Sequence, residues 1–396
     1  MPRDPLQAWD TSTPVLVLGA AYGGLGVARS LGRAGVPVYA VHRTRSAGLW
    51  SRYWRRTFVW DFDRSSRDES LAFLRDVSRT IGRRAVLLPT GDTTATFVDE
   101  VAETLKPSFL FHRQDPGLVP SLINKHSLYV LATRFGVPTA KIAIPSTPGE
   151  VTAFIEQATF PVMMKTVDPT RPPGKIHIIA SGPEEILAYY RRAGDAASAR
   201  VMLQEYIPGA DDTGWTFYGY FDAASACVAA FTARKIRLHP PRTGSISMGI
   251  VDENSAAEAT CRGFMKSVGY RGVVNIGGKL DARDGQYKVL DVNPRLGASF
   301  RLCLSEDGLD VVRALYLDLT GQRVPVVRPR VGRKWLLEED LSSSIVSMRQ
   351  GNLTVRQWLR SLRRVHEMAR WTPDDPLPFV VWTLSGLWRA FRGLLH

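Results

Sequence analysis

Cysteine is scarce. Cys227, Cys261 and Cys303 are three in 396 residues, too few and too widely spaced for a disulfide framework or a metal-finger pattern. That usage fits a reducing compartment, so a cytoplasmic location is expected. No apolar run reaches the roughly 18–20 residues that a membrane-spanning helix needs. The opening MPRDPLQAWD carries acids where a secretory leader would have an apolar core. Internal repeats and low-complexity tracts are lacking as well. No Ser/His/Asp or Cys/His set can be assigned for nucleophilic catalysis. Acidic residues are outnumbered, 38 against 51 Lys and Arg, which leaves a net charge of +13 and calls for an anionic partner. The basic residues are dispersed and match no nucleic-acid reader module, so a nucleic acid is not the expected partner.

What is present reads as a multi-domain α/β and α+β chain. PVLVLG is an apolar run suited to a parallel strand buried on both faces. It is followed by a glycine turn, a helical VARSLGRAG and a second strand, VPVYAVHR, the opening of a doubly wound domain. Gly19, Ala21 and Gly24 loosely match a dinucleotide fingerprint, but His42 and Arg43 stand where an acid would meet the ribose. Arg43 suits a 2′-phosphate, so an NADP-dependent oxidoreductase stays open; equally, the glycines serve only a tight turn. DESLAFLRDVSRTIG predicts a helix. RRAVLLPTGD predicts a third parallel strand ending at Gly91 and Asp92, with Asp92 expected to cap the next helix. Asp115-Pro116-Gly117 marks a boundary.

Beyond residue 120, Asn124-Lys125-His126-Ser127 opens a helix. FPVMMKT is a strand that places Lys165 in an apolar run, where lysine is rare without a partner. The loop 168–175 is rich in proline. VMLQEYIPG ends a strand at Glu205, Tyr206 and Ile207. WTFYGYFD, ACVAAFTARKIRL, GVVNIGGKLD and YKVLDVN predict antiparallel strands. On the last of these Asp291 and Asn293 lie two apart, so their side chains leave one face and suit a hard cation such as Mg²⁺. Arg295 follows the proline turn and suits a phosphate or carboxylate. Asp281 is either a further oxygen ligand or the cap of the ARDG turn.

Taken in order, NKHSLYVLATRFGVPTAKIAIP, FPVMMKT, MLQEYIPGADD and YKVLDVNPRLG with EDGLDVVRALYLDLTGQ resemble the ATP-grasp superfamily, in particular its stand-alone carboxylate–amine ligases. The resemblance covers roughly residues 14–320. It implies ATP and Mg²⁺ as cofactors and ligation through an acyl phosphate, with small-molecule carboxylate and amine substrates. It implies that Lys125 and Lys165 meet the phosphates, that Glu205, Tyr206 and Ile207 read adenine, and that Asp212 holds the ribose. Asp291 and Asn293, with Asp281, would bind metal. Arg295 and Lys235, with Arg242, would serve the substrate end. The chain departs from the family in a lid with three prolines and one glycine, in Gly277 where a metal-binding Glu is usual, and in Asp291 where the family has Glu.

The expected division is a Rossmann-like pre-ATP-grasp domain over 1–118, a small lobe with the lid over 119–204, a large lobe with the metal site over 205–325, and a basic helical extension over 326–396. Residues 321–396 hold 13 Lys and Arg against 6 Asp and Glu. LTVRQWLRSLRRVHEMARW has helical spacing. The apolar, basic tail VVWTLSGLWRAFRGLLH is expected to pack on a neighbouring domain or subunit, a homodimer included, or to lie on the inner face of an anionic membrane. A non-catalytic nucleotide-binding protein stays open beside the ligase.

Overall fold

A computed structural model describes residues 9–44, 46–166, 177–198, 201–209, 211–241 and 244–394. The chain forms two compact units. One comprises Met1–Pro120, Asp211–Gly277 and Val292–His396; the other comprises Ser121–Ala210 and Gly278–Asp291.

The first unit opens with a parallel sheet. Strands β1 (Val15–Leu18), β2 (Val38–His42), β3 (Trp54–Val59), β4 (Ala85–Pro89) and β5 (Phe109–Leu110) stand in the order β3-β2-β1-β4-β5. Both faces of β1 are buried, as its unbroken apolar run requires. Val15 and Val17 point into one core with Val27 and Leu31, and Leu16 and Leu18 into another with Leu74 and Val77. Helix α1 (Tyr22–Gly32) supplies the first pair and α2 (Arg67–Ile81) the second. Helix α2 starts on a Ser66–Glu69 capping box and stops at Gly82, φ +77°. Helix α3 (Asp92–Glu100) and a short α4 (Ala102–Leu105) complete this part. At the first turn Gly19 has φ +126°, and a Cβ there would lie 2.2 Å from Thr90 Oγ1. The glycine turn is thus a close packing device.

Helix α5 (Leu118–Ile123) leads to the second unit, which contains α6 (Lys125–Arg134), β6 (Ile142–Ala143), α7 (Pro148–Gln157), β7 (Val162–Thr166), β8 (His177–Ala180), α8 (Pro183–Ser198) and β9 (Val201–Glu205). The strands form an antiparallel sheet in the order β6-β9-β7-β8. Val162, Met164, Val201 and Leu203 point to one side and pack with Val151 and Ile186 from the helices.

The chain then returns to the first unit. Strands β10 (Gly214–Phe221), β11 (Cys227–His239) and β12 (Ser245–Val251) are antiparallel. After helix α9 (Ser255–Ser267), β13 (Gly272–Asp281) and β14 (Gln286–Asn293) carry the chain into the second unit and back. Next come α10 (Val311–Leu319), β15 (Lys334–Leu336), α11 (Asp340–Arg349), α12 (Val355–Leu362), β16 (Val365–Met368) and α13 (Leu377–Leu394). The sheet order is β14-β13-β10-β11-β12-β15-β16. The stretch 326–396 was expected to be helical. It instead adds two strands, and its first amphipathic helix ends at Leu362 instead of running on to Trp371. Arg364, at φ +58°, turns the chain out of the helix so that β16 can pair with β15.

This C-terminal stretch is locked to α1 by Arg29, whose side chain is buried. The guanidinium donates to Asp375 Oδ2 (2.9 Å) and to the carbonyls of Ala369 (3.0 Å), Arg370 (2.5 Å) and Asp375 (2.9 Å). A buried arginine needs such a complete set of acceptors to offset its desolvation.

Candidate functional site

In the second unit the helix start, β7 and β14 supply a cationic cluster. Asn124 caps α6 by accepting from the N–H groups of His126 (3.0 Å) and Ser127 (3.1 Å). This places Lys125 in the first turn, at the positive end of the helix dipole, where a cation is disfavoured unless an anion meets it. Its Nζ donates to Asp291 Oδ1 (2.6 Å) and to the Leu290 carbonyl (3.2 Å). Lys165 comes from β7 and donates to Gln204 Oε1 on β9 (3.2 Å). Burial and then the charge of Lys125 pull Lys165 down to about 8, while Asp291 opposes the shift. Gln204 was not foreseen as a site residue. The signal for it was a polar side chain inside the apolar run VMLQE, and it is buried in the structure.

Glu205 and Asp281 belong to a different group. Glu205 pairs with Arg283 (2.6 Å) and accepts from the Lys141 N–H (3.2 Å). Asp281 is buried, holds Arg283 and Lys288 at 2.6 Å each, and accepts from the Arg283 N–H (3.0 Å). The hydrogen bond from Arg283 holds its carboxyl well below the usual carboxylate range. The expectation of Asp281 as a metal ligand is therefore corrected. Its oxygens are saturated by cations of the chain itself, and it caps the turn at residues 281–285. The Tyr206 N–H donates to the Pro161 carbonyl (3.2 Å), and Lys279 Nζ sits over its ring at 5.5 Å. Ile207 is buried.

In the first unit Arg295 is the hub. Its Nε donates to Asp92 Oδ1 (2.5 Å), and its Nη2 donates to Asn293 Oδ1 (3.0 Å). Asp92 is not the helix cap. Gly91 occupies that position with help from Thr94, and Asp92, in the first turn of α3, is left to meet Arg295. Asn293 Nδ2 approaches the Asn275 carbonyl at 3.5 Å. Behind them a Cβ on Gly297 would lie 2.7 Å from the Tyr218 hydroxyl and 2.9 Å from Asn275 Oδ1, so a side chain there would have to displace these two polar groups. Lys235 is half-buried on β11 beside a register shift against β12, a device that re-aims side chains. Asp212 is exposed in a short 3-10 turn, Asp211–Thr213. Arg43, on which the 2′-phosphate reading stands, is exposed, pairs with Asp63 and lies 3.9 Å from Asp61. The lid 168–175 and Arg242 lie outside the described residues.

Among the described residues no three or more His, Cys, Asp and Glu side chains gather into a group able to hold a metal ion. Asp291 and Asn293 offer hard oxygen donors two residues apart on β14. Such a pair fits Mg²⁺ that takes its remaining ligands from phosphate and water, as nucleotide-borne Mg²⁺ does.

The chain is similar in sequence to a known ligase and in fold to solved ligases, synthetases and a biotin carboxylase domain. In sequence it is 26% identical over 245 residues to D-aspartate ligase of Enterococcus faecium; the match covers 58% of each chain, so less than two thirds of that relative is spanned. In fold it is similar to the ADP complex of N5-carboxyaminoimidazole synthetase from Staphylococcus aureus, with TM-score 0.63, 12% identity and 82% and 81% of the two chains covered. It is similar also to L-amino acid ligase from Bacillus licheniformis, with TM-score 0.59, 13% identity and 82% and 79% covered. The biotin carboxylase domain of Hydrogenobacter thermophilus 2-oxoglutarate carboxylase gives TM-score 0.59 at 15% identity, covering 81% and 73%. No protein-family model matches the chain.

Proposed function

We propose that the protein is an ATP-dependent ligase that joins a carboxylate to an amine through an acyl phosphate. The observation that carries this reading is the Lys125–Lys165 group at the start of α6. Burial and the charge of Lys125 lower the proton affinity of Lys165, and Lys125 itself pairs with the Asp291 carboxylate. Such a cluster is electrostatically incomplete until an anion of several charges arrives, and a polyphosphate is that anion. The described ADP and Mg·ADP complexes of two fold neighbours support the same ligand.

On this reading Lys125 and Lys165 hold the phosphates, the Glu205–Ile207 strand exit meets adenine, and Asp212 meets the ribose. Asp291 and Asn293 hold Mg²⁺, which when bound neutralises phosphate oxygens. Arg295 and Lys235 hold the carboxylate and the acyl phosphate. The substrate carboxylate oxygen attacks the γ-phosphorus, and the bond to the bridging oxygen breaks to release ADP. The amine nitrogen then attacks the acyl carbon, phosphate leaves, and the nitrogen loses a proton. The residues act by positioning and by charge stabilisation. The N-terminal parallel sheet serves as the pre-ATP-grasp domain, and 326–396 as a basic extension. Because D-aspartate ligase and L-amino acid ligase both carry amino acids in their names, amino acids are the first substrates to screen.

The test is phosphate release from Mg·ATP that requires both a carboxylate and an amine. Asp291→Ala with Asn293→Ala should lower that rate by about 100-fold or more, the scale on which removal of transition-state charge stabilisation is felt. An unchanged rate sinks the site assignment.

A further inference from the structure

Helix α13 is apolar on two faces, of which the described residues cover chiefly one. Phe379 packs edge-on against Trp371 (5.5 Å) and beside Trp382 (6.0 Å), and the Arg370 guanidinium lies 4.4 Å over the Trp382 ring. The helix also lies against the turn Ala47–Trp50. The other face carries Leu377, Val380, Leu384, Leu387 and Trp388, each between 41 and 63% exposed. Their spacing of three, four, three and one residues confines them to a stripe about 100° wide, the width of a buried helix face. Trp50, in the turn against which the helix packs, is 58% exposed.

The charges around this stripe identify what covers it. From Pro376 to His396 the sequence has Arg389 and Arg392 and no acid. At the other end of the helix Arg52 is exposed and donates to the Asp374 carbonyl (3.4 Å). The nearby acids among the described residues are already paired, Glu338 and Glu339 with Arg370. Asp374 accepts from Arg33 at 2.8 and 2.9 Å, and Asp375 is buried on Arg29. An apolar stripe bearing tryptophan, on a helix whose sequence carries arginine and no acid and whose start lies near the exposed Arg52, is the pattern of a helix that lies in the interface of an anionic bilayer. A second copy of the chain would instead bring like charges to the same stripe.

We propose that the exposed face of α13 docks the protein on an anionic membrane surface, with Leu384 and Leu387 in the acyl boundary. Among the described residues no helix is long and apolar enough to cross the membrane, so the contact is peripheral. The inference does not rest on the ligase reading.

The experiment uses the full-length protein with vesicles of phosphatidylglycerol and phosphatidylcholine, against vesicles of phosphatidylcholine alone. The protein should sediment with the anionic vesicles, its tryptophan emission should shift to the blue, and added salt should weaken the binding. Leu384→Glu with Leu387→Glu should reduce partitioning at least about tenfold, since two charges enter the apolar layer. The thermal midpoint should stay unchanged, because these side chains are exposed. Arg389→Gln with Arg392→Gln should remove the preference for anionic lipid. Absence of sedimentation with anionic vesicles overturns the proposal, as does equal binding by the double glutamate variant. A dimer in sedimentation velocity that this variant dissolves overturns it too, and assigns the face to contact between copies.

Discussion

Lys165 shows how a single residue reports on the site. Its ammonium is pulled down to about 8 by burial and by Lys125, so it loses its proton in a pH range where an ordinary lysine stays charged. An arriving polyphosphate restores that proton. ATP affinity should therefore be level below about pH 7 and fall by up to about tenfold per unit as pH rises past 8, a slope that isothermal titration would reveal. Lys165→Met should weaken binding and flatten the slope. The sign for stability is opposite to that of a paired lysine. Between pH 8 and the ordinary lysine value the unfolded chain binds the proton and the folded chain does not, so stability rises with pH in that window. The variant should lack this rise in denaturant titrations.

Among the elements, those written in local pattern were legible in the sequence. Strand β1 followed from its unbroken apolar run. Helix α2 followed from the helical stretch at residues 68–82, and the structure adds the Ser66–Glu69 capping box at its start. Strand β3 was not legible, because Trp54–Val59 is an edge strand with exposed arginines and its pairing with β2 supplies what its own pattern lacks. The helix projected through residue 371 failed for a related reason, since apolar spacing cannot show that β15 offers an edge to residues 365–368. The lysines and the Asp291–Asn293 pair were singled out by residue type and position, and the structure pairs Lys125 with Asp291. The partners of Arg295 and Asp281 were not, because an ion pair such as Arg295–Asp92, 203 residues apart, leaves no periodic trace. Helix α1 carries the prediction at this scale. Arg29→Met strands the buried Asp375 carboxylate and three carbonyls, and should cost about 3–5 kcal/mol in denaturant unfolding.

For the molecule as a whole, the proposed roles of Lys125 and Asp291 would tie metal to nucleotide through their pairing. The carboxylate that would hold Mg²⁺ is engaged by a cation until a phosphate draws that cation away. Mg²⁺ alone should leave the thermal midpoint unchanged. Mg·ATP at about 100 times its Kd should add about 2.7 kcal/mol, read as a shift in differential scanning fluorimetry. The Arg29 lock bears on how the chain is made. Its acceptors lie some 340 residues downstream, at 369–375. Domains usually fold as they emerge, N-terminal first. This N-terminal sheet instead waits with an unmatched arginine on its first helix until the ribosome has delivered residue 375. Its maturation therefore comes late in synthesis, and a stalled nascent chain ending short of that point should remain open to protease at α1.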